Sequence, residues 1–395
     1  MNNDPSKQVT ELERDKPRNI VGLMTGTSLD GVDYVLVECT NATVRLLDSA
    51  FSEFNISLKN RLRQLRESGD QVSLQTCYGL SQEIAKVCCE IIDERLRTDP
   101  FKDLIVHAIG YQGQTIRHQP LSYAPFSFQL IDADLINSVT AIPVISGFRQ
   151  SDIANGGQGA PLTPAFHRTV FAHNQERRAV INLGGIANVT FLPTENSESM
   201  IAFDTGPGNT LIDEWCRTQY GMSYDAEGLT ARKGNVQHTL LEELLSEAYF
   251  HQRPPKSTGQ EYFNIGWLQK FLNKYPHCTK GDILSTLVEL TAQTCVQACQ
   301  KYGDSLERII ICGGGVKNNF LMERITAISD PCLVERSDGF GIPSDYCEAM
   351  AFAYFADCKL RNISIDLSSV TGSRTHLVHG SITDCYGTLT NRLNF

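Results

Sequence analysis

The chain has 395 residues, of which 41% are hydrophobic and 20% are charged. This length exceeds the ~100–200 residues of one typical domain, so we expect two domains, and the composition excludes collagen-like and largely disordered proteins. The 35 basic and 45 acidic residues leave a formal net charge of −10. An acidic protein has no overall field that favours the phosphate backbone of a nucleic acid, so we expect no nucleic-acid partner.

The hydrophobic pattern predicts neither a membrane span nor a secretory signal. The most apolar stretches, such as Ile309–Cys312, have the length of a strand, whereas a membrane span needs ~18 apolar residues. Residues 1–18 lack the apolar centre of a secretory signal and are predicted to form a solvated tail. The 13 cysteines are an odd number in a long chain, so we expect free thiols. Together these features predict a cytoplasmic protein without a membrane partner.

Alternating strand and helix patterns in the first part of the chain predict one α/β domain. The predicted strands are Asn19–Met24, Val32–Glu38, Thr43–Phe54, Leu104–Gly110 and Ile142–Ile145. The predicted helical regions are 57–97 and Ala133–Thr140. The first three strands form a β-meander, and the helices separate it from the later strands.

The same plan recurs in the second part of the chain. The predicted strands are Ala179–Leu183, Asn188–Leu192, Met200–Phe203 and Arg308–Cys312. The predicted helical regions are Thr210–Trp215, 235–301, Asn318–Ile328 and Ser344–Lys359. We therefore expect two similar α/β lobes that face one cleft, the first over 19–147 and the second over 148–364, with the boundary between Gly147 and Ala179. Residues 365–395 are expected to pack on either lobe.

Three glycine-rich turns follow predicted strands, at Gly26–Gly31, Asp204–Asn209 and Gly313–Gly315. Glycine allows backbone N–H groups to approach a phosphate closely, and two of these turns precede a helix, whose N-terminus carries a partial positive charge. Familiar nucleotide motifs are absent from the sequence. The lysine in Pro254–Gly259 has no preceding glycine, as a P-loop requires, and no turn has the last glycine of a dinucleotide fingerprint. The turns predict a less familiar phosphate cradle.

Each predicted lobe has a carboxylate at such a turn, Asp30 in the first and Asp204 in the second. One carboxylate can hold Mg²⁺ on nucleotide phosphates, while the other takes a proton from an attacking nucleophile. This layout is typical of a phosphotransferase. In the alternative interpretation the carboxylates are solvated turn residues, with Asp204 capping the helix predicted from Thr210.

Eight sequence blocks occur in the order found in one enzyme family. They are GLMTGTSLDGVD, GQTIRHQP, GGQGAPLTPAFH, INLGGIAN, FDTGPGN, PPKSTGQEYFN, CGGGVKN and CEAMAFAY. By these blocks the chain resembles the anhydro-N-acetylmuramic acid kinases over residues 20–380. The resemblance implies the fold of actin, sugar kinases and Hsp70, with two RNase H-like lobes and ATP in the cleft between them. It also implies ATP and Mg²⁺ as cofactors, and a homodimer.

The resemblance further implies roles for individual residues. ATP-binding residues are Gly26, Thr27, Ser28, Leu29, Asp30, Gly31, Gly206, Gly208, Asn209, Gly313, Gly314 and Gly315. Asp204 matches the catalytic base, and Asp30 and Glu348 match positions near the metal. The blocks that line the sugar site contain Gln114, Thr115, Arg149 and Asp152.

The implied reaction is ATP-dependent opening of a 1,6-anhydro ring, with phosphate transfer to an alcohol oxygen. Water would cleave 1,6-anhydro-N-acetylmuramic acid while O6 accepts the γ-phosphate, which gives N-acetylmuramic acid 6-phosphate during recycling of the cell wall. Three alternatives remain open: a kinase of another 1,6-anhydro sugar such as levoglucosan, a non-sugar ATPase of the same fold, and a non-catalytic binding protein. The last would be expected to lose Asp204 or Asp30.

Two positions depart from the family pattern. The family has a histidine where this chain has Gln112, and an aspartate where it has Gly147. We hypothesise that the two family residues contact each other or one ligand group, so that losing both leaves no buried charge unpaired.

Two further features allow more than one interpretation. Lys256 either reaches a phosphate or is a solvated loop residue. Asn182 and Asn188 flank Gly184-Gly185, and they either line the cleft or shape a hairpin.

Overall fold

The fold is described from a computed structural model that covers residues 16–41, 43–69, 71–194 and 199–387. The chain forms two compact units. Unit 1 comprises the described residues within Met1–Val170 and Glu348–Phe395, and unit 2 is the continuous segment Phe171–Cys347. Among the described residues, no helix combines the length and the hydrophobicity needed to cross a bilayer.

Both units mix strands with helices. The strands are β1 (Arg18–Thr25), β2 (Gly31–Cys39), β3 (Val44–Glu53), β4 (Ala108–Gln119), β5 (Phe126–Leu130), β6 (Val144–Ser146), β7 (Arg178–Leu183), β8 (Ile186–Leu192), β9 (Ile201–Pro207), β10 (Arg308–Cys312), β11 (Leu333–Arg336) and β12 (Ser381–Thr383). The helices are α1 (Ile56–Glu67), α2 (Leu74–Leu96), α3 (Ala133–Thr140), α4 (Phe148–Ala154), α5 (Pro164–Phe171), α6 (Thr210–Tyr220), α7 (His238–Leu245), α8 (Ala248–His251), α9 (Ile265–Leu272), α10 (Lys280–Tyr302), α11 (Asn319–Ser329), α12 (Cys347–Leu360) and α13 (Ser368–Thr371).

The sheet of unit 1 has the strand order β12-β6-β4-β1-β2-β3, with β5 paired to β4. Strands β1, β2 and β3 are antiparallel neighbours, whereas β4 is parallel to both β1 and β6. Helix α2 begins after Ser73, whose side chain accepts a hydrogen bond from the Thr76 N–H, and its buried face includes Leu80, Ile84 and Ile92. These side chains join the core formed by β1, β2 and β4.

The sheet of unit 2 has the order β11-β10-β7-β8-β9. Strands β7, β8 and β9 are antiparallel neighbours, and β10 is parallel to both β7 and β11. The long helix α10 contributes many of the buried apolar residues that pack against these strands, including Leu284, Leu287 and Cys295.

The two sheets repeat one topology. In unit 1 the order β3-β2-β1-β4-β6 has the same strand directions as β9-β8-β7-β10-β11 in unit 2. A meander of three antiparallel strands followed by two parallel strands is the arrangement of an RNase H-like lobe. The prediction of two such α/β lobes is confirmed.

One of the two predicted boundaries differs from the structure. The first is predicted between Gly147 and Ala179, and the chain leaves unit 1 within that range, after Val170. The second is predicted after residue 364, whereas the chain returns to unit 1 at Glu348. Helix α12 belongs to unit 1 because its backbone packs directly on the first sheet, where a side chain at Gly22 or Gly110 would collide with the Ala349 or Phe352 carbonyl. This approach places Glu348, next to Ala349, beside β1.

The two ends of the chain bear on further predictions. Strand β12 pairs with β6, so the described part of 365–395 packs on unit 1, one of the two lobes that the prediction allows. Arg18, predicted to lie in the solvated tail, is a buried residue of β1, while residues 1–15 of that tail lie outside the described residues.

One strand lies further along the chain than predicted. It is predicted over Leu104–Gly110, whereas β4 begins at Ala108, continues to Gln119 and pairs with β5, which was not predicted. The reason is that Gln112 and Gln114 interrupt the apolar pattern although both are buried in the fold.

Candidate active site

The first glycine-rich turn joins β1 to β2 in unit 1. Thr27, Ser28 and Asp30 are exposed, whereas Leu29 is buried and adopts a left-handed backbone conformation with φ of 62°. The Gly26 carbonyl accepts a hydrogen bond from Gln114 Nε2 at 3.1 Å. The Asp30 carbonyl accepts one from the N–H of Phe54 at 2.8 Å. The turn is thus fixed through its carbonyl groups, while three polar side chains face solvent.

Two buried glutamines, Gln112 and Gln114, lie on β4, the strand that runs parallel to β1. Gln114 is fully buried, and its Oε1 has no hydrogen-bond partner among the described residues. Gln112 is 2% exposed, and its Nε2 likewise has no partner there. A buried polar atom without a partner costs free energy of ~1–3 kcal/mol. A polar ligand that reached either atom would remove that cost.

Thr115, the other predicted sugar-site residue of β4, belongs to a network between β4, β5 and α4. Its Oγ1 accepts a hydrogen bond from Gln129 Nε2 at 3.2 Å, and that amide also donates to Ser127 Oγ at 2.6 Å. Gln150 Nε2 donates to Gln129 Oε1 at 2.6 Å, and His118 Nδ1 lies 3.0 Å from Ser127 Oγ. Sequence reasoning missed these partners, although polar residues at alternating positions 127 and 129 indicate a polar strand face.

Arg149 lies among charged groups of unit 1. Its Nη1 donates to the Gly159 carbonyl at 3.0 Å. Burial lowers the pKa of Arg149, while the carboxylates of Glu348 and Asp152 oppose that shift. The structure therefore brings these three predicted site residues close enough to interact electrostatically.

Asp152 is occupied by protein contacts. It is fully buried, and its Oδ2 accepts from the Gly159 N–H at 2.7 Å while its Oδ1 accepts from Thr371 Oγ1 at 2.8 Å. His379 Nε2 lies 3.7 Å from the same Oδ1. These contacts tie the loop after α4 to the C-terminal part of unit 1. The predicted contact between Asp152 and the sugar stays a prediction.

Asp204 lies in unit 2, in the middle of β9, and is partly exposed. Its Oδ2 accepts a hydrogen bond from the Thr258 N–H at 3.0 Å, and its backbone carbonyl accepts one from the Tyr249 hydroxyl at 2.7 Å. It does not cap the following helix, because Asn209 is the N-cap residue of α6. This arrangement removes the capping interpretation of Asp204.

The surroundings of Asp204 make its carboxylate a base of intermediate strength. Removal from solvent raises the pKa of Asp204 from 3.8 to about 6. The Thr258 N–H and Lys256 lower that pKa, whereas Glu261 raises it. A carboxylate with a pKa near 6 is ionised at neutral pH and still accepts a proton readily, as general-base catalysis requires.

The backbone of the second glycine-rich turn is bonded within unit 2. Gly206 and Gly208 are buried. The N–H groups of Gly208 and Asn209 donate to the carbonyls of Gly185 and Gly184 at 2.9 and 2.8 Å, and Asn209 Nδ2 donates to the Leu183 carbonyl at 2.9 Å. These donors are therefore used inside the protein, and the predicted contact of this turn with ATP stays a prediction.

The turn that matches Gly26–Gly31 by topology is a different one. Gly26–Gly31 connects the first two strands of one sheet, and Gly184-Gly185 connects β7 to β8, the first two strands of the other. Asn182 pairs with Asn188 across this hairpin. Sequence reasoning proposed a hairpin here but did not relate it to the first turn, because strand order is needed to see the correspondence.

The third glycine-rich turn follows β10. Gly313 has φ of 86°, and its N–H donates to the Ser344 carbonyl at 2.9 Å. Gly315 is buried, and a Cβ there would meet Leu183 Cβ at 2.5 Å. Gly314 is exposed, and no heavy atom lies within 4 Å of the Cβ position. Gly313 and Gly315 are thus required by backbone geometry and packing, while Gly314 is open to a ligand.

Of the two departures from the family pattern, Gln112 lies within β4, and Gly147 directly follows β6 as the N-cap residue of α4. In the parallel pair β4–β6, Ile109 faces Val144 and Gly110 faces Ile145. The pairing ends there, and Gly147 has a left-handed backbone with φ of 73°, so the strand does not continue to it. A contact between the family's histidine and aspartate stays a hypothesis.

Asp30 and Glu348, the predicted metal-site residues, both belong to unit 1. Both are carboxylates with access to solvent. Carboxylate oxygens are the donors that Mg²⁺ prefers, so their chemistry fits this ion.

Comparison with known proteins assigns the chain to a family. A family model described as anhydro-N-acetylmuramic acid kinase matches residues 18–385. The chain belongs to the anhydro-N-acetylmuramic acid kinase family. A protein named anhydro-N-acetylmuramic acid kinase from Pasteurella multocida (strain Pm70) is 39% identical over 364 residues, which is 92% of this chain and 96% of that protein. Membership in the anhydro-N-acetylmuramic acid kinase family confirms the resemblance and shows that the chain is a kinase.

Two of the solved structures that are similar to this chain have low sequence identity to it. The activator of the 2-hydroxyisocaproyl-CoA dehydratase from Clostridium difficile, with bound ADPNP, is 11% identical with a TM-score of 0.44, covering 86% of this chain and 94% of that one. A ROK family glucokinase from Streptomyces griseus, in complex with glucose and AMPPNP, is 10% identical with a TM-score of 0.37. The match covers 85% of this chain and 98% of that one.

Proposed function

We propose that this kinase uses ATP to phosphorylate 1,6-anhydro-N-acetylmuramic acid and opens its anhydro ring with water in the same reaction. The product is N-acetylmuramic acid 6-phosphate, with ADP as the second product. Membership in the anhydro-N-acetylmuramic acid kinase family supports the kinase activity and the sugar class. The arrangement of Asp204 is the observation that carries the ring-opening step.

Asp204 serves as the general base in this proposal. The residue is partly exposed, and its carboxylate is ionised at neutral pH and oriented by the N–H of Thr258. It takes a proton from the water whose oxygen forms a bond to C1. The bond from C1 to O6 breaks, O6 forms a bond to the γ-phosphorus, and the bond from that phosphorus to the β–γ bridging oxygen breaks as ADP leaves. The proton from water remains on Asp204 until the products depart.

Residues of unit 1 are proposed to bind the substrates. Thr27 and Ser28 present hydroxyl groups to solvent at the first turn, where a nucleotide phosphate would accept hydrogen bonds. Asp30 and Glu348 would hold Mg²⁺, which supplies positive charge against the transferring phosphoryl group. Gln112 and Gln114 offer one buried donor and one buried acceptor for a polar group of the sugar. A cytoplasmic location and a homodimer remain predictions.

The mass of the product tests the proposed reaction. The protein is incubated with ATP, Mg²⁺ and a panel that contains 1,6-anhydro-N-acetylmuramic acid, its ring-opened counterpart and levoglucosan. We expect a product that has gained both a phosphoryl group and one water from the anhydro amino sugar, and little turnover of the ring-opened sugar. A product that gains phosphate without water would contradict ring opening, and equal turnover of levoglucosan would place the specificity in the anhydro ring alone.

A further inference from the structure

The edge of the second sheet is covered next to Asp204. Strand β9 is the last strand of that sheet, and the segment Lys256–Glu261 runs beside it. The Asp204 N–H donates to the Lys256 carbonyl at 3.2 Å, and the Thr258 N–H donates to Asp204 Oδ2 at 3.0 Å. This segment, called the covering segment below, therefore holds both the backbone and the carboxylate of Asp204.

The side chain of Lys256 anchors the covering segment to α8. Its Nζ donates to the carbonyls of Tyr249 and Phe250 at 3.0 and 3.4 Å, and it lies 4.5 Å from the centre of the Tyr249 ring. The Tyr249 hydroxyl in turn donates to the Asp204 carbonyl. Lys256 thus joins the two elements that hold Asp204.

These contacts exclude the interpretation of Lys256 as a solvated loop residue, because its side chain is partly buried against an aromatic ring and two carbonyl groups. They engage the ammonium group within its own unit, which supports a structural role. Phosphate binding by Lys256 is the alternative interpretation, and the experiment below separates the two.

We propose that Lys256 is a positioning residue for Asp204, which orients the carboxylate and sets its proton affinity by anchoring the covering segment. This inference rests on the proposed function, in which Asp204 is the base. It concerns how the base is prepared rather than which reaction it performs.

The charged and titratable groups around Asp204 determine the direction of each effect. Lys256 and Glu261 come from the covering segment, Tyr249 comes from α8, and Lys301 of α10 acts on Lys256. The protonated form of Asp204 is favoured when the Lys256 charge is lost. It is favoured again when the Thr258 N–H is no longer held in place to donate to the carboxylate. The pKa of Asp204 then rises, and the activity falls off at a higher pH. Loss of the Glu261 charge has the opposite effect.

The variants Lys256→Met, Lys256→Arg and Glu261→Gln test the proposal with 1,6-anhydro-N-acetylmuramic acid and ATP. In Lys256→Met we expect the acid limb of the kcat profile to move to higher pH by about one unit, and kcat at its plateau to fall ~10–100-fold through misorientation. The KM for ATP should change less than about twofold, because Lys256 does not contact ATP in this proposal. Lys256→Arg should recover most of the activity, since a guanidinium group keeps the charge and donates to the same carbonyls. Glu261→Gln should move the acid limb to lower pH.

A second measurement does not depend on turnover. The carboxyl carbon of Asp204 is followed by NMR during a pH titration of protein with ¹³C-labelled aspartate, with Asp204→Asn identifying the resonance. We expect its midpoint to rise in Lys256→Met and to fall in Glu261→Gln.

Different outcomes overturn the two levels of the proposal. A Lys256→Met protein with an unmoved Asp204 titration and a KM for ATP raised about tenfold would overturn the positioning role, because Lys256 would then bind nucleotide. Near-normal activity of Asp204→Asn would instead overturn the proposed function. If Lys256→Met does not fold, the other two variants still test the role of the covering segment. That role would be overturned if the Asp204 titration does not move in Glu261→Gln. It would also be overturned if a folded Lys256→Arg protein had lost ~10–100-fold in kcat, the loss expected for Lys256→Met.

Discussion

Asp152 and Asp204 show how neighbouring groups give one residue type two roles. Both oxygens of Asp152 accept hydrogen bonds from the protein, and the residue is fully buried. Asp204 is partly exposed, and removal from solvent raises its pKa to about 6. The first carboxylate stabilises unit 1, while the second is able to exchange a proton.

Asp204→Asn should lower kcat by ~10²–10⁴-fold, because the amide cannot accept the proton from water. In the unaltered enzyme kcat should decline as pH falls through about 6, since the base acts only when it is ionised and its pKa is raised to about 6. Steady-state rates between pH 5 and pH 8 measure both effects. Binding of ATP, followed by calorimetry, should stay within about twofold and serves as the control. An Asn variant that turns over at the normal rate would show that another group removes the proton.

Two glycines of unit 1 determine how closely α12 approaches its sheet. Gly22 and Gly110 are neighbours in the parallel pair β1–β4, and each lies against a carbonyl of α12. This helix carries Glu348, which interacts electrostatically with Arg149. The approach thus links the packing of an element to the position of a proposed metal ligand.

Gly110→Ala should lower the free energy of unfolding by ~1–3 kcal/mol, because the new methyl group collides with the Phe352 carbonyl. The matched control is Gly79→Ala in α2, where no heavy atom lies within 4 Å of the Cβ position. This control should be stabilised by ~0.5–1 kcal/mol through helix propensity. Urea unfolding measures the stability of both variants. If Gly110→Ala were as stable as Gly79→Ala, the sheet and α12 would be able to move apart without cost, which would contradict this account.

An ion-pair network joins the parallel strands of unit 2. Arg178 and Arg308 face each other in the β7–β10 register, where their like charges repel. Glu176 accepts from both, at 2.5 Å from Arg178 Nε and 2.9 Å from Arg308 Nε. Hydrogen bonding to Arg308, followed by that to Arg178, lowers the pKa of Glu176 to about 2 against the opposing effect of burial.

Glu176→Gln should destabilise unit 2 by about 1–2 kcal/mol at neutral pH. This figure is lower than the pKa change alone would give, because solvent screens the partly exposed charges. The folded-state pKa lies below the unfolded value of about 4.5. The stabilisation by Glu176 is therefore complete above pH 4.5 and disappears as pH falls through about 2. Denaturant unfolding at several pH values should show the difference between the two proteins narrowing over this range. Arg45→Ala, which removes an exposed pair with Glu38, should change stability by less than about 1 kcal/mol. A difference that stays constant down to pH 2 would contradict this account.

Each unit has its own hydrophobic core, and the chain enters and leaves unit 2 once. The core of unit 2 draws on residues of β7 to β10 and α10, and that of unit 1 on β1, β2, β4 and α2. Unit 1 is completed by the C-terminal segment, in which Thr371 bonds to Asp152 and the Gly380 N–H bonds to Ser151 Oγ. The last described part of the chain thus packs on the first part.

Separate cores predict two unfolding transitions in calorimetry, each sensitive to its own variants. Thr371→Val leaves Asp152 Oδ1 without its hydroxyl donor and should cost ~1–3 kcal/mol. It should lower the midpoint of the unit 1 transition alone, whereas Glu176→Gln should lower only that of unit 2. A single transition that both variants shift equally would show that the units unfold together.

Local patterns in the sequence were sufficient to locate most strands, the glycine-rich turns and Asp204. Helix α3 and strand β10 have the predicted bounds, because their amphipathic or apolar patterns and flanking residues are local signals. Asp204 and the glycines around it were found from one short motif. The duplicated plan followed from the order of these elements along the chain.

Contacts between distant residues decided the rest. Helix α12 lies in unit 1, although it follows unit 2 in the chain. The Gly208 N–H donates to the Gly185 carbonyl in the turn between β7 and β8, and Lys256 donates to carbonyls of α8. None of these facts has a signal within a window of neighbouring residues, since each depends on which surfaces meet when the chain folds. A residue's type and its immediate neighbours determine secondary structure and available chemistry. Its burial, hydrogen-bond partners and proton affinity are determined by segments that are far away in the chain.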